Sequence, residues 1–299
     1  MTMDAGGDGT FQGRNAIIFG GGRNIGRAIA LEFARRGAAV AVTDIDAQGA
    51  RQTAQAIVDR GGRAVGLHAD VTDADSMADA AARAEAALGG MEIVMNNAGL
   101  LHNGNPEDFP LAEWQRMFDC NLFGMVRSLR LFVPKLLALG RGHFVSTASF
   151  AGLYPYAANR VPYAASKAAI LNLSENLALY LEPKGIRVSC LVPGPVMTSS
   201  LHGMKSFSGE MPMRGPGRHL WLKSQEEAAL ALADGMAAGR ILIPTHEEGL
   251  ETIRDRAADP DAFLRGLMTS FAQGDEGRPQ VDKARFGLAQ DGSPFQNPE

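Results

Sequence analysis

Ala16-Ile-Ile-Phe-Gly-Gly-Gly-Arg-Asn-Ile-Gly26 joins a short apolar run to the start of an amphipathic segment. The apolar run predicts a strand that is buried on both faces. In the segment that follows, Asn24–Arg36, apolar residues recur every fourth position, which predicts a helix. The glycines between them permit positive φ angles and a close approach of a ligand to the backbone. Because a helix N-terminus offers free N–H groups to a phosphate, the stretch predicts a strand, a phosphate-binding turn and a helix.

The rest of the chain repeats this alternation of apolar runs and helical segments. The longest helical stretches are Trp114–Leu139 and Pro162–Leu181. Strands that alternate with helices favour an α/β fold: a doubly wound parallel sheet of about seven strands with helices on both faces. The strands are expected at Ala16–Phe19, Ala39–Thr43, Ala64–Leu67, Ile93–Met95, His143–Ser146, Ile186–Val192 and Ile241–Ile243.

The sequence contains no clean linker and no internal repeat, so we expect one domain. Residues 1–11 are expected to form a flexible tail and residues 12–245 the domain itself. Residues 246–299 form a C-terminal extension that is expected to be helical in part and disordered at its end. Within the domain, residues 199–223 are rich in Gly, Met, Pro and basic residues and are expected to form a mobile flap.

The composition excludes several classes of protein. With 45% apolar and 21% charged residues and a net charge of −4, the chain is typical of a soluble globular protein, without the basic surface that nucleic acids or anionic membranes attract. The first residues lack the basic and apolar regions of a secretory signal, and no run is long enough to span a bilayer. Only Cys120 and Cys190 are present, which fits a reducing cytoplasm, and a cytoplasmic location is expected.

Asp44 stands at the end of the second predicted strand, eighteen residues after Gly26. A carboxylate at that position can bind the ribose 2′-hydroxyl of NAD, although a solvated turn residue or a helix cap would look the same. A 2′-phosphate would meet a second anion there, at a cost of about 4 kcal/mol for charges about 4 Å apart. Arg23 could reach such a phosphate instead. We expect the direct repulsion to win, so that NAD is the cofactor rather than NADP.

Tyr163 and Lys167 lie four residues apart in a segment that begins a predicted helix, and Ser149 follows the fifth strand. Side chains at this spacing share one helix face. An ammonium about 4 Å from a phenol stabilises the phenolate by about 4 kcal/mol, which makes the phenol a usable proton-transfer group near neutral pH. The pair alone is weak evidence, since the spacing also occurs by chance.

Short motifs follow one another along the chain: Gly20–Gly26, Asp70-Val71, Asn96-Asn-Ala-Gly99, Asn121 in Cys120–Gly124, Ser149–Gly152, Tyr163-x-x-x-Lys167 and Pro193–Thr198. In this order they resemble the core NAD(P)-dependent type of the short-chain dehydrogenase/reductase family. The similarity runs from Gln12 to Thr198. It implies a Rossmann-like fold, interconversion of a secondary alcohol and a ketone, and a homodimer or homotetramer that uses the two long helices at one interface.

The resemblance also implies a role for each matching residue. Tyr163 donates or accepts the proton, and Lys167 favours its phenolate and holds the nicotinamide ribose. Ser149 hydrogen-bonds the reacting oxygen, and Asn121 holds a water that links Lys167 to solvent. No metal ligands are expected. The other expected cofactor contacts are Gly20, Gly22, Arg23, Asn24, Ile25, Gly26, Asp44, Ile45, Asp70, Val71, Asn97, Ala98, Gly99, Pro193, Gly194, Val196 and Thr198.

The chain departs from the family pattern in three places. Phe19 replaces the usual Thr, which predicts some loosening of the turn, and Asn24 replaces Gly, which a left-handed conformation tolerates. The C-terminal part, Arg240-Ile-Leu-Ile-Pro-Thr245 followed by a helical extension, is similar to the benzylic (Cα) alcohol dehydrogenases of lignin-fragment breakdown. That similarity implies a bulky apolar or aromatic alcohol as substrate.

Several residues near the predicted site have two interpretations. Tyr154 and Tyr156 are walls of the substrate pocket or surface residues. His102 and Asn103 touch the substrate or lie in a solvated loop. The basic residues of the flap attract an anionic substrate or are simply solvated, and the solvated interpretation is favoured here; they are Lys205, Arg214, Arg218 and Lys223.

Two rival functions remain beside the NAD-dependent dehydrogenase. One is an NADPH-dependent carbonyl reductase in which Arg23 overrides Asp44. The other is a dinucleotide-binding sensor without catalysis, which is disfavoured because Ser149, Tyr163 and Lys167 are all present.

Overall fold

The strand that precedes the glycine turn lies near the centre of a seven-stranded sheet. The structure is a computed structural model, and it describes residues 9–198, 204–211 and 213–286. All the neighbouring strands are parallel, in the order β3-β2-β1-β4-β5-β6-β7. The strands are β1 (Asn15–Phe19), β2 (Ala39–Asp44), β3 (Ala64–His68), β4 (Ile93–Asn96), β5 (Gly142–Thr147), β6 (Ile186–Val192) and β7 (Leu242–Pro244).

Helices cover both faces of this sheet, as expected of a doubly wound, Rossmann-like fold. On one face Ile17 packs in a core with residues of α3, α5 and α7, and on the other Ile18 packs with residues of α1, α2 and α8. The helices are α1 (Asn24–Arg35), α2 (Ala47–Val58), α3 (Ala74–Leu88), α4 (Leu111–Phe118), α5 (Gly124–Leu139), α6 (Phe150–Leu153), α7 (Val161–Leu181), α8 (Gln225–Ala237), α9 (Gly249–Ala258) and α10 (Pro260–Ala272).

The predicted helix Trp114–Leu139 is wrong as a single element. It is α4 and α5 joined by a π-turn at Asp119–Phe123, and α4 already starts at Leu111. The wider turn directs Asn121 into the protein, where its amide binds backbone groups of another loop. The predicted strands agree with the observed ones to within one or two residues at each end.

The packed part of the chain begins before the predicted boundary at residue 12. Phe11 is fully buried, with its ring centroid 4.7 Å from that of Phe33 on α1. The remainder of the predicted tail, residues 1–8, lies outside the described residues. No helix in the described ranges combines the length and the apolar character that crossing a bilayer requires.

The C-terminal extension is helical through α9 and α10, and the segment after them pairs with the flap. Gly215 N donates to the carbonyl of Glu276 at 2.8 Å, and Leu222 N donates to that of Gln280 at 2.7 Å. Residues 276–280 are therefore held by backbone hydrogen bonds, although their composition gave no sign of it. Residues 199–203 of the flap, residue 212, and residues 287–299, where a disordered end was predicted, lie outside the described ranges.

Candidate active site

The turn after β1 is a backbone cradle at the N-terminus of α1. Gly20 has φ of 79°, and Asn24 has φ of 50°, so Asn24 adopts the left-handed conformation that was predicted for it. A Cβ at Gly26 would lie 1.9 Å from the Gly20 carbonyl oxygen, so only glycine fits there. Phe19 was expected to loosen the turn. Its carbonyl accepts hydrogen bonds from Asn97 N and Ala98 N, and these bonds oppose that effect.

Asp44 lies at the end of β2, beside this turn. Its Oδ2 accepts a hydrogen bond from Gly22 N at 2.9 Å, and its Oδ1 accepts one from Asp46 N at 3.0 Å. The carboxylate is 7% exposed and faces the main cavity. A Cβ at Gly22 would lie 2.9 Å from the carboxylate carbon, so the glycine permits this approach. Asp44 is thus fixed in place at the nucleotide end.

The predicted catalytic side chains come from three elements. Ser149 directly follows β5 as the N-cap of α6, and Tyr163 and Lys167 stand in the first two turns of α7. The Lys167 ammonium donates to the carbonyl of Thr147 at 2.8 Å and lies 5.7 Å from the centroid of the Tyr163 ring. Lys167 is 3% exposed, so its charge acts in a largely dry environment.

Asn121 lies behind these residues, on the π-turn. Its amide nitrogen donates to the Leu100 carbonyl at 3.0 Å and to Ser166 Oγ at 2.9 Å, and its Oδ1 accepts from Leu100 N at 2.6 Å. A methyl group on Gly99 would lie 3.5 Å from Lys167 Nζ and 3.6 Å from Asn121 Oδ1. Asn121 and Lys167 therefore border the same narrow space.

One cavity of about 1700 Å³ runs along the carboxyl ends of the strands, where ligands bind in open α/β sheets. Three predicted site residues do not line it: Gly22 and Gly26 support the turn from beneath, and Asn121 is buried behind it. The predicted residues that line it are Gly20, Arg23, Asn24, Ile25, Asp44, Ile45, Asp70, Val71, Asn97, Ala98, Gly99, Ser149, Tyr163, Lys167, Pro193, Gly194, Val196 and Thr198.

The loop after β6 is anchored at its start. Phe150 N donates to the Pro193 carbonyl at 2.8 Å, and Gly194 N donates to Thr245 Oγ1 at 2.9 Å. Thr245 in turn lies 2.8 Å from the ring of His246, which is fully buried. These contacts tie the loop to the end of β7, and burial lowers the pKa of His246.

The end of the cavity beyond Ser149 and Tyr163 is lined by further residues, only some of which the sequence singled out. Tyr156 forms one wall, as one of its two interpretations expected, and burial raises its pKa. Tyr154 is buried and donates from its hydroxyl to the Pro216 carbonyl at 2.9 Å, so it is neither wall nor surface. The other additions are Arg160, Met211, Met213, Arg214, Leu222 and Arg278.

His102 and Asn103 match neither of their interpretations. Both are 2% exposed and neither lines the cavity. His102 Nδ1 accepts a hydrogen bond from Lys205 N at 3.1 Å, and burial lowers the pKa of the imidazole. The two residues anchor the flap, and only their three-dimensional neighbours show it.

The basic residues of the flap divide into two groups. Lys205 and Arg218 remain mostly exposed, as the solvated interpretation expects. Lys223 donates to the Thr245 carbonyl, and the Arg214 guanidinium lies 4.0 Å from the centroid of the Phe271 ring. For these two the solvated interpretation is wrong, because contacts with the later part of the chain draw them inward.

Burial disfavours the thiolate form of both cysteines. Cys120 lines the cavity, but burial raises its pKa to about 11, and burial also raises the pKa of Cys190 in β6. Within the described ranges, no three His, Cys, Asp or Glu side chains are grouped to hold a metal ion.

Comparison with known proteins places the chain in a family. The model of the short chain dehydrogenase family matches residues 14–208. The 7alpha-hydroxysteroid dehydrogenase of Escherichia coli is 36% identical over 63% of this chain and 73% of its own. The 1-deoxy-11-beta-hydroxypentalenate dehydrogenase of Streptomyces exfoliatus is 32% identical over 83% of this chain and 88% of its own.

A solved structure has the same fold. The short chain dehydrogenase/reductase of Burkholderia phymatum, in complex with NAD, superposes with a TM-score of 0.74 at 26% identity, over 84% of this chain and 95% of its own. The family match, the relatives and the fold agree with one another. The chain belongs to the short-chain dehydrogenase family of oxidoreductases.

Proposed function

We propose that the protein is an NAD-dependent dehydrogenase that interconverts a secondary alcohol and a ketone. One observation carries the proposal. Ser149, Tyr163 and Lys167 face the same cavity as the glycine cradle Gly20–Gly26 and the carboxylate of Asp44. A proton-transfer group and a nucleotide site therefore lie in the same cavity.

The residues at the nucleotide end fit a dinucleotide. A side chain at Gly20 or Gly26 would collide with neighbouring backbone, so these glycines preserve the shape of the turn, and the N-terminus of α1 favours a pyrophosphate. Asp44 would hold the adenine ribose, and Lys167 and the Pro193–Thr198 loop would hold the nicotinamide end. When bound, NAD supplies the hydride acceptor for alcohol oxidation. The protein relatives and the NAD complex of the similar structure support this assignment.

The protein's own task is to orient the alcohol and to move one proton. In oxidation, the phenolate of Tyr163 accepts the hydroxyl proton, and Ser149 donates a hydrogen bond to the reacting oxygen. Lys167, fixed by the Thr147 carbonyl, stabilises the phenolate. Asn121 is held in place by hydrogen bonds with the backbone of Leu100. Its role in this proposal is to hold a water that links Lys167 to solvent.

The substrate end favours a bulky molecule with an apolar part. Met211, Met213, Leu222 and Tyr156 line it, and methionines adapt to irregular ligands. The similar enzymes are named for a hydroxysteroid and a hydroxypentalenate, which agrees with a large alcohol. The resemblance of the C-terminal part to benzylic alcohol dehydrogenases supports the same size class and adds aromatic alcohols to it.

Replacement of Tyr163 by Phe tests the catalytic assignment. The change removes the phenolic oxygen and keeps the ring, so we expect kcat to fall by about 10²- to 10⁴-fold. NAD affinity, measured by calorimetry, is expected to stay within about 3-fold of that of the unchanged protein. Tyr180→Phe, at an exposed position on α7, is the matched control and should leave both quantities unchanged.

Two results would contradict the proposal. Turnover that survives Tyr163→Phe would remove the tyrosine from the proton step. Tight NAD binding without turnover of any aromatic, alicyclic or steroid alcohol would favour a non-catalytic sensor.

A further inference from the structure

A buried arginine lies at the substrate end of the cavity, without a carboxylate partner among the residues that the structure describes. Arg160 is 8% exposed, directly precedes α7, and comes three residues before Tyr163. It lines the same cavity as Ser149 and Tyr163. Because an arginine side chain is a permanent cation, its charge must be balanced by its surroundings or by a ligand.

The surroundings described here do not balance it. Nη2 donates to the carbonyl of Arg214, and the guanidinium carbon lies 5.7 Å from the centroid of the Tyr156 ring. Nε is buried and has no hydrogen-bond partner among the described residues. Arg127, by contrast, lies 2.6 Å from the carboxylate of Asp119.

The charges around Arg160 are also positive. Arg214 and Arg278 line the same end, and although Arg278 pairs with Glu276 at 2.5 Å, no carboxylate in the described ranges faces the cavity there. Three carboxylates do line the cavity: those of Asp44, Asp70 and Asp119. Asp44 and Asp70 lie at the nucleotide end, and Asp119 forms a salt bridge with Arg127. An anion that enters the substrate end would therefore meet no carboxylate among the described residues that line it.

Arg160 is also close to the reacting groups. Arg160 is the residue before α7 and Tyr163 stands in the first turn of that helix, and both side chains line the cavity. Tyr156 connects them, because Arg160, Ser149 and Tyr163 all influence the pKa of its hydroxyl. A substrate whose hydroxyl reaches Tyr163 can therefore place another group at Arg160.

We propose that the substrate is a hydroxy acid, a secondary alcohol with a carboxylate that Arg160 binds while the hydroxyl faces Tyr163. A guanidinium receives a carboxylate through two parallel N–H donors, which fixes orientation as well as affinity. This inference rests on the proposed function, and it narrows the substrate class from bulky alcohols to anionic ones.

Matched pairs of substrates test the proposal. The pairs are 4-hydroxycyclohexanecarboxylate with its methyl ester, and cholate with methyl cholate, each assayed with NAD. Each ester keeps the alcohol and loses the charge. For at least one pair we expect kcat/KM to be about 10-fold or more higher for the acid than for the ester, mainly through KM.

Variants of Arg160 separate ligand binding from a structural role. In Arg160→Gln the advantage of the acid should disappear while kcat/KM for the ester changes by less than about 3-fold, and Arg160→Lys should keep part of the advantage. Arg265→Gln, an exposed position on α10, is the control and should keep the full advantage. Calorimetry of the four compounds with NADH-loaded protein provides the same comparison without turnover.

The outcomes are distinguishable. Equal kcat/KM and equal binding for acid and ester in the unchanged protein would overturn the hydroxy-acid assignment and leave the dehydrogenase proposal intact. An equal loss for acid and ester in Arg160→Gln would assign Arg160 to anchoring the flap through Arg214. Absence of turnover with every secondary alcohol would instead contradict the proposed function.

Discussion

We expect the choice between NAD and NADP to depend mainly on a single residue, Asp44. Its carboxylate is fixed by two backbone N–H groups and faces the cavity where a ribose 2′-phosphate would lie. In Asp44→Ala we expect kcat/KM to fall at least about 10-fold with NAD and to rise with NADP, because the repulsion of a second anion is removed and Arg23 remains. Initial rates with both cofactors measure the effect.

Asp59→Ala, an exposed position at the end of α2, is the control for this change and should leave the cofactor preference unaltered. A preference of the unchanged protein for NADP would contradict the assignment and favour the carbonyl-reductase alternative.

At the scale of the residue, the sequence predicts what depends on local geometry. Asn24 was expected to tolerate a left-handed backbone, and it does so because the turn demands it at that position. Arg160 was not predicted. Its environment is built by Arg214 and Tyr156, and by the absence of a nearby carboxylate among the described residues, and no spacing in the sequence encodes that arrangement.

At the scale of the element, the pairing of the flap with residues 276–280 brings this segment to the substrate end. Arg278 and Pro279 of the segment, and Val281 directly after it, line the cavity. A chain that stops after Gly274 should therefore raise KM for the alcohol about 10-fold or more, while NAD affinity changes by less than about 3-fold, because the nucleotide end does not use the segment. Steady-state kinetics and calorimetry measure the two effects.

A chain that stops after Phe286 is the matched control, since it keeps every described contact between the segment and the flap. If both truncated chains retained the KM of the full chain, the segment would have no part in binding the alcohol.

Strands and helices differ in how far the sequence predicts them. The strands were predicted closely because several of them, such as β1 and β2, are apolar runs that are buried on both faces. The π-turn was missed because it is stabilised by hydrogen bonds from Asn121 to Leu100 and Ser166, two residues that are distant from it in sequence. The flap partner was missed because it is held through its backbone, and a polar composition does not reveal backbone hydrogen bonds.

At the scale of the whole molecule, stability should depend on pH through His143. The imidazole is 1% exposed on β5, lies 2.9 Å from Ser189 Oγ, and has its pKa lowered to about 3, first by burial and then by Arg187 and Arg14. An unfolded histidine binds its proton near pH 6.5. Between that pH and about 3 the unfolded chain holds one more proton at this position, so stability is lost as the pH falls through this range.

Urea unfolding at pH 7 and pH 5 tests this linkage. The unchanged protein should lose about 2 kcal/mol more between these values than His143→Gln, at about 1.4 kcal/mol per pH unit below 6.5. His219→Gln, at an exposed position, is the control and should lose as much as the unchanged protein. An equal loss in the unchanged protein and His143→Gln would show that His143 titrates alike in both states.

The expected homo-oligomer stays a prediction. The two helices assigned to its interface leave Leu139, Leu179 and Tyr180 exposed by 47%, 79% and 54% of their areas. Apolar side chains of this size at the surface of α5 and α7 agree with an interface there. The sequence predicted the helices, but the extent of the apolar surface became visible only after folding.

The position of residues 276–280, which pair with the flap at the substrate end, has a consequence for biosynthesis. The glycine cradle, Asp44 and the Tyr163–Lys167 helix all leave the ribosome before these residues do, and domains fold as units while the chain emerges. A nascent chain can therefore form the nucleotide end before the residues 276–280 that line the substrate end have been synthesised. Premature termination just before residue 276 should therefore release a molecule that binds NAD as the full chain does and binds the alcohol less tightly.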